Sequence, residues 1–253
     1  MLHIFTRPKV AQVLPVTLTK FLNNEIDSAP YIGVFHSTNG TAFSAIALQR
    51  TITARADRDG SIFFFYGKPS YTLKSGGSVI NEVSLAYHAA GLPSLMRVAP
   101  FDTGGLISGR YSEFFAALME TNTVSAIIDF LEIPKDFKAI GKFVTCFFGD
   151  NKNYINAKFC AWPTEAGEQP LLTAWARLVL ASRRTPEFDP PAATIEIQAE
   201  APALVDKTNV AAIIIPLGYL DRPEIRLFLR KLAYDTKHMR MRSYRTNHPF
   251  GTR

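Results

Sequence analysis

Two runs of apolar residues, each stopped by a turn residue, constrain the fold of this chain more than any other feature. Residues 62–66 lead directly into Gly67-Lys68-Pro69, and residues 210–215 end at Pro216. Short apolar runs that are rich in β-branched and aromatic side chains and bounded by Gly or Pro are typical of buried strands. The sequence therefore predicts a β-sheet with both runs in its core.

Helical patterns are interspersed with further strand patterns. Residues 42–48 carry apolar side chains at near-helical spacing behind a polar cap region at residues 39–41. Further strands are predicted at residues 31–35, 96–98, 142–148 and 194–198, and further helices at residues 112–119, 123–131 and 222–236. Residues 171–180 fit either a helix or a buried strand. This succession predicts an α+β fold.

Size and cysteine content narrow the class of protein. The 253 residues, of which 47% are hydrophobic, can bury the core of one large domain. Cys146 and Cys160 form no Cys-x-x-Cys pair, which excludes a disulfide framework and a cysteine-based zinc site. The N-terminus lacks the apolar stretch of a secretory signal, and no window reaches the roughly 18 apolar residues of a membrane helix. We therefore expect a cytoplasmic protein with no membrane partner.

The positive charge is concentrated at one end of the chain. The net charge is +6, and residues 221–253 contain nine Lys and Arg against three Asp and Glu, so the whole excess lies there. Basic segments of this kind attract phosphate backbones, although many only solvate a surface. We expect a basic C-terminal helix and tail over residues 221–253, with DNA or RNA as its candidate partner.

Ligand-type side chains follow two of the predicted strands. His36, Ser37 and Thr38 lie between a strand and a helix, where an imidazole and two hydroxyls can hydrogen-bond ribose hydroxyls and a carboxamide. Tyr66 offers an aromatic face to a planar ligand, and Gly67 allows close approach of the backbone. The next residue, Lys68, can neutralise a pyrophosphate. Each feature alone is common in strands and turns, but together they predict a binding cleft.

Glu196 is the candidate reactive carboxylate. It lies between Ile195 and Ile197 in an alternating strand, so the pleat places it on the opposite face from both, together with Thr194 and Gln198. If that face lines a cleft, the carboxylate can act on a ligand, and if it faces water, Glu196 is an ordinary surface acid.

These segments together resemble the ADP-ribosyltransferase superfamily, and most closely the DarT-type toxins that modify DNA. His36-Ser37-Thr38 is similar to the His-x-Thr that ends a strand in that family, and Phe65-Tyr66-Gly67-Lys68-Pro69 resembles its Tyr-Phe-x-Pro-Arg-like turn. The strand around Glu196, followed by Pro202 and residues 210–215, looks like a third piece. The resemblance covers residues 31–71 and 192–216, with a lysine at position 68 where the family has an arginine.

The resemblance implies a fold, a reaction and partners. The fold would be a single domain over residues 1–253, with a split, mostly antiparallel β-sheet of ADP-ribosyltransferase type and helical insertions. The substrate would be NAD, with Glu196 and Lys68 as catalytic residues and no metal required. The NAD-binding residues would be His36, Ser37, Thr38, Tyr66, Gly67 and Tyr71. The family also suggests a toxin or antiviral role and an antitoxin or immunity partner.

Two other functions remain open. Asp189, Glu196 and Gln198 are similar to the Asp…Glu-x-Gln pattern of some metal-dependent nucleases, although Pro190 and Pro191 leave little room for a strand between the first two. A non-catalytic nucleic-acid-binding protein, with the basic tail as its contact surface, is the other alternative.

Overall fold

The computed structural model describes residues 17–22, 25–54, 59–67, 83–162, 164–184, 190–234 and 240–244. In this part of the chain the strands are β1 (Val34–Thr38), β2 (Thr51–Ile52), β3 (Ser61–Tyr66), β4 (Val83–Tyr87), β5 (Leu95–Ala99), β6 (Glu196–Glu200), β7 (Ala203–Leu204), β8 (Val210–Pro216) and β9 (Arg240–Tyr244). The helices are α1 (Gly40–Gln49), α2 (Thr103–Ile107), α3 (Ser112–Met119), α4 (Val124–Phe130), α5 (Phe137–Phe148), α6 (Asn151–Ile155), α7 (Thr164–Gly167), α8 (Pro170–Arg184) and α9 (Pro223–Tyr234).

Seven strands form one sheet in the order β5-β6-β3-β1-β4-β8-β9. Neighbouring strands are antiparallel except β8 and β9, which run parallel. The short strands β2 and β7 pair with each other in a separate two-stranded sheet. The predicted α+β class and the mostly antiparallel sheet are therefore confirmed.

The pairing between β1 and β3 is short. Only Val34 with Tyr66 and Phe35 with Phe65 are paired, whereas β1 pairs with β4, and β3 with β6, along five residues each. The last three residues of β1 therefore keep β4 as a neighbour and separate from β3. This separation opens a gap within the sheet beside the cavity described below.

Helix α1 follows β1 because Asn39 caps its first turn. The Asn39 Oδ1 atom accepts a hydrogen bond from the backbone N–H of Ala42 at 2.8 Å, as preferred at an N-cap. The helix ends at Arg50, whose φ of 56° is left-handed. The predicted helix over residues 42–48 is thus confirmed, and its capped start places β1 and α1 side by side.

The strand predicted over residues 142–148 is wrong, because these residues form the second half of α5. Asp136 caps this helix through its Oδ1 atom, which accepts from the N–H of Ala139 at 2.7 Å, and Gly149 ends it with a φ of 79°. Most residues of α5 are buried, so the run is almost uniformly apolar, and such a run does not distinguish a buried strand from a buried helix. The ambiguous residues 171–180 are also helical, within α8.

Helices α2 to α8 lie between β5 and β6 in the chain and buttress the end of β5. The Trp175 Nε1 atom of α8 donates to the Pro100 carbonyl at 3.2 Å, and the Phe101 ring stacks on Phe115 of α3 with centroids 5.8 Å apart. Both phenylalanines and Trp175 are fully buried. These contacts hold the chain in place immediately before Asp102. No helix in the described ranges is long and apolar enough to cross a membrane.

Candidate functional site

A cavity of about 950 Å³ adjoins the gap between β1 and β3. Its volume lies in the range of small-molecule sites. Four parts of the chain line it: the end of β1, the inner side of α1 with the residues that follow it, β3 with Glu196 of β6, and the segment that contains α2. The cavity thus combines residues that are far apart in the sequence.

Glu196 is the buried carboxyl group of this cavity. It begins β6 and is paired with Phe65 of β3 on one side and with Ala99 of β5 on the other. Its side chain is only 2% exposed. The Thr103 hydroxyl donates to its Oε1 atom at 2.6 Å, and the Gln198 Nε2 atom donates to the same oxygen at 2.9 Å. The predicted orientation of Glu196 and Gln198 toward one face is confirmed.

The environment of Glu196 favours its protonated form. Burial is the main reason that its pKa rises from an ordinary 4.5 to about 8, and the negative charge of nearby Asp102 adds to the rise. The hydrogen bonds from Thr103 and Gln198 oppose this effect, because they stabilise the carboxylate. At neutral pH, Glu196 is therefore largely neutral in this environment.

Asp102 and Arg110 form an ion pair that also lines the cavity. The Asp102 Oδ1 atom accepts from the N–H of Gly105 at 3.0 Å and so caps α2, while its Oδ2 atom accepts from Arg110 Nη2. The same Arg110 nitrogen donates to the Tyr111 hydroxyl at 2.6 Å. The Asp102 carboxylate is thereby held beside Glu196 with a cation next to it.

The His36 imidazole spans the gap between β1 and β3. Its Nδ1 atom lies 3.0 Å from the Phe63 carbonyl oxygen. Since a carbonyl can only accept, Nδ1 carries the proton. Burial lowers the pKa of His36, so the ring is neutral at pH 7 and its Nε2 atom is an acceptor. Among the residues that the structure describes, none hydrogen-bonds Nε2, which leaves this acceptor available to a ligand hydroxyl or amide.

The hydroxyl residues after His36 also line the cavity. The Ser37 Oγ atom lies 3.0 Å from the Ser84 Oγ atom of β4, and Thr38 is 7% exposed. The structure thus brings His36, Ser37, Thr38 and Glu196 to one cavity. Across β3, Glu196 is in register with Phe35 through Phe65, which places the Phe35 and Glu196 backbones about 10 Å apart at the usual strand spacing. His36 is the next residue of β1.

Tyr66 and Gly67 do not line this cavity. Tyr66 is 1% exposed, with its hydroxyl donating to the Pro30 carbonyl at 3.2 Å. Gly67 has a φ of 73°, and a Cβ atom there would meet Ile32 Cδ1 at 2.5 Å. The turn therefore requires glycine at this position. Their predicted role in binding NAD is not supported by these positions.

Strand direction explains why Tyr66 and Gly67 are separated from His36. The prediction placed the ends of two successive strands together, which holds for parallel neighbours. Because β1 and β3 are antiparallel, the end of β1 lies beside the beginning of β3, and the end of β3 lies beside the beginning of β1. The predicted Lys68 and Tyr71 lie outside the described residues.

The alternative nuclease site cannot be assembled from the described residues. Asp189, its first predicted ligand, lies outside them. Within the described ranges no group of three or more His, Cys, Asp and Glu side chains is placed to hold a metal ion. Gln198 contacts Glu196 as a hydrogen-bond donor through its amide nitrogen. The nuclease therefore stays a prediction.

The basic C-terminal region begins with an exposed face of α9. Its buried face packs Phe228 against Phe43 of α1, with ring centroids 5.8 Å apart. Among the residues of this region whose exposure the structure describes, the exposed basic side chains are Arg222, Arg226, Arg230 and Lys231. The Arg222 Nη1 atom donates to the Ser44 Oγ atom of α1 at 3.5 Å. The basic face therefore adjoins a helix that also lines the cavity.

Sequence reasoning missed Asp102, Thr103 and Arg110. They belong to residues 72–191, which resemble no motif, and the structure brings them to Glu196 because Ala99 of β5 pairs directly with it. The only local signal was Asp102-Thr103-Gly104-Gly105, in which an aspartate precedes two glycines as in a turn or a helix cap.

No protein-family model, curated protein or solved structure matches this chain. Inference about its function therefore rests on the geometry and chemistry of the cavity.

Proposed function

We propose that this protein is an NAD-dependent ADP-ribosyltransferase. The observation that carries the proposal is the buried Glu196 carboxyl in the same cavity as the His36 imidazole. The backbones that carry the two groups lie roughly 10 Å apart, two strand spacings, so one nicotinamide riboside between them would contact both groups.

The chemistry requires a negative charge near the ribose. As the bond between C1′ and the nicotinamide nitrogen breaks, its electron pair leaves with the nicotinamide, and the ribose acquires oxocarbenium character. An ionised Glu196 beside C1′ would stabilise that charge in a site with little water. The cationic nicotinamide ring of bound NAD lowers the pKa of a carboxyl group next to it. NAD binding itself would thus favour the ionised Glu196 that the reaction needs.

His36 and Thr38 would orient the substrate. The neutral His36 ring presents Nε2 as an acceptor because Nδ1 donates to the Phe63 carbonyl. This acceptor suits a ribose hydroxyl or the carboxamide N–H groups. Ser37 and Thr38 add hydroxyls on the same side of the cavity.

The basic face of α9 supports nucleic acid as the acceptor. Arg226, Arg230 and Lys231 are exposed on this helix, and Arg222 is exposed immediately before it. Arg222 contacts α1, whose residues Ala45 and Ile46 line the cavity. A nucleic acid whose phosphate backbone binds this face would bring a base, or the end of a DNA or RNA strand, toward the cavity.

The test is incubation of the full-length protein with radiolabelled NAD and separate pools of DNA, RNA and protein. We expect label in one pool with the wild type and none with Glu196→Gln, since the amide keeps the shape of the side chain and loses its charge. Glu200→Gln is the matched control: it makes the same change on the same strand at an exposed position outside the cavity lining. Equal turnover by the wild type and Glu196→Gln would refute the role of Glu196.

A non-catalytic nucleic-acid-binding protein is the second candidate, and the exposed cations of α9 favour it. It predicts salt-sensitive binding of oligonucleotides, no thermal shift with NAD and no release of nicotinamide.

A further inference from the structure

Asp102 occupies a position in the cavity that the proposed reaction leaves without a role. It lies three residues after Ala99, which pairs with Glu196 across β5 and β6. Its neighbour Thr103 donates to Glu196 at 2.6 Å, and Asp102 itself interacts with the Glu196 carboxyl. Two carboxyl groups therefore stand side by side in one cavity.

The order of the strands places Asp102, Glu196 and His36 in a row across the cavity. Asp102 follows β5, Glu196 begins β6, and His36 belongs to β1, two strands beyond β6. Asp102 and His36 therefore lie on opposite sides of Glu196. If His36 holds the nicotinamide riboside, the acceptor approaches C1′ from the side of Asp102, because a nucleophile attacks opposite to the leaving group.

We propose that Asp102 is the general base that takes the proton of the acceptor, and that Arg110 is the positioning residue that holds the Asp102 carboxylate in place. This inference rests on the proposed function of the cavity and adds a residue that the resemblance does not assign.

In this step one proton is transferred, one bond to C1′ forms and one bond to C1′ breaks. The acceptor O–H or N–H, or a water molecule, loses its proton to an Asp102 oxygen while its lone pair forms the bond to C1′. The bond between C1′ and the nicotinamide nitrogen breaks, and its electron pair neutralises the pyridinium ring. No oxidant or reductant is needed, and Asp102 later returns the proton to water.

The contacts of Asp102 suit a base. Each carboxylate oxygen has two lone pairs. Gly105 N–H occupies one lone pair on Oδ1, and Arg110 occupies one on Oδ2. When Glu196 is ionised, as the reaction requires, it donates no hydrogen bond to Asp102, so one lone pair on each oxygen remains for the acceptor. The Arg110 guanidinium carbon lies 4.7 Å from the centroid of the Tyr111 ring. Both partners of the ion pair are therefore held by a further contact, Asp102 by the Gly105 N–H and Arg110 by Tyr111.

The experiment compares Asp102→Asn with the wild type in nicotinamide release from NAD, with water alone and with sodium azide. Azide is an anionic nucleophile that brings no proton, so it needs no base. We expect Asp102→Asn to lower the rate with water by about 100- to 10,000-fold, as is typical for loss of a general base. Azide should restore nicotinamide release and yield ADP-ribosyl azide, detected by mass spectrometry.

Controls separate catalysis from folding. Asparagine caps helices as well as aspartate does, and circular dichroism melting checks the fold; Asp102→Ser, which also keeps a capping oxygen, serves if Asp102→Asn unfolds. Asp129→Asn is the matched control, because it removes the exposed ion pair with Arg97 at 3.0 Å, and neither residue belongs to the cavity lining. Glu196→Gln should not be rescued by azide, since its defect lies in bond cleavage.

The outcomes distinguish this inference from the function on which it rests. A wild-type protein that releases no nicotinamide overturns the proposed function and the role of Asp102 with it. An active wild type with an equally active Asp102→Asn, or a folded and inactive Asp102→Asn that azide does not restore, overturns the role of Asp102 alone.

Discussion

Replacing Glu196 by glutamine should stabilise the protein at alkaline pH while abolishing the proposed transfer of ADP-ribose. The reason is that Glu196 is 2% exposed and ionises with difficulty in the folded state. Below its unfolded-state pKa of 4.5 both states hold the proton, and between 4.5 and about 8 only the folded state holds it. Stability therefore falls as pH rises through this window, and the loss is complete above pH 8.

The magnitude follows from the difference between the two pKa values. From 4.5 to about 8, at about 1.4 kcal/mol for each pKa unit, the ionised carboxyl costs roughly 5 kcal/mol as an upper limit. Because the surroundings of a buried ion relax in real proteins and reduce this cost, we expect about 2 to 5 kcal/mol. Glutamine avoids this cost, since its Oε1 atom can still accept from Thr103 and Gln198 and its Nε2 atom can donate to Asp102.

The assay is urea unfolding of the wild type, Glu196→Gln and Glu200→Gln at several pH values from 5 to 9. The stability of Glu196→Gln minus that of the wild type should be small near pH 5 and grow to its full size by pH 9. Groups that titrate independently of Glu196 cancel in this difference. Glu200→Gln, at an exposed position, should show no such trend.

A difference that does not change with pH would refute the reasoning, because it would mean that Glu196 ionises in the folded protein as easily as in water. A Glu196→Gln variant that is less stable than the wild type at pH 9 would do so as well. The predicted gain also illustrates a general pattern in which a functional residue is retained at a cost in stability.

Three further predictions follow from the described contacts. His36→Phe should cost about 1 to 2 kcal/mol in urea unfolding, because it removes the hydrogen bond between the ring and the Phe63 carbonyl of β3, and it should weaken NAD binding in calorimetry. Unchanged stability and affinity would contradict this role. Gly67→Ala should destabilise the protein more than Gly60→Ala, although both glycines have a φ of 73°. At position 60 the new side chain costs only the left-handed strain of about 1 to 2 kcal/mol, whereas at position 67 the new Cβ would also meet a neighbouring atom at 2.5 Å. Equal losses of stability would argue against the packing explanation. Charge reversal of Arg226 and Arg230 to glutamate should weaken oligonucleotide binding and flatten its salt dependence in fluorescence anisotropy, while NAD hydrolysis without acceptor stays at the wild-type rate; unchanged binding would exclude α9 as the contact surface.

Features that depend on neighbouring residues could be predicted from the sequence. The apolar run over residues 62–66 became β3, and the capping side chain of Asn39 marked the start of α1. The pleat of a strand also placed Glu196 and Gln198 on one face, and the two side chains are hydrogen-bonded there. In each case the pattern that determines the structure lies within about four residues along the chain.

Features that depend on strand pairing and on packing could not be predicted from the sequence. An apolar run over residues 142–148 fits a buried helix as well as a buried strand, and burial among other helices made it the end of α5. The antiparallel direction of β1 and β3 separated Tyr66 from His36, which no local pattern indicates.

The cavity shows most clearly this difference between local features and features set by strand pairing. The sequence alone supplied His36 and Glu196 as candidates, since each stands out within its own strand. Only the tertiary structure brought Asp102 and Arg110 to them, because the register of β5 against β6 aligns Ala99 with Glu196 across nearly a hundred residues of intervening helices. A register of this kind is set by hydrogen bonds and packing between distant segments, and it leaves no periodic trace in the residues that it joins.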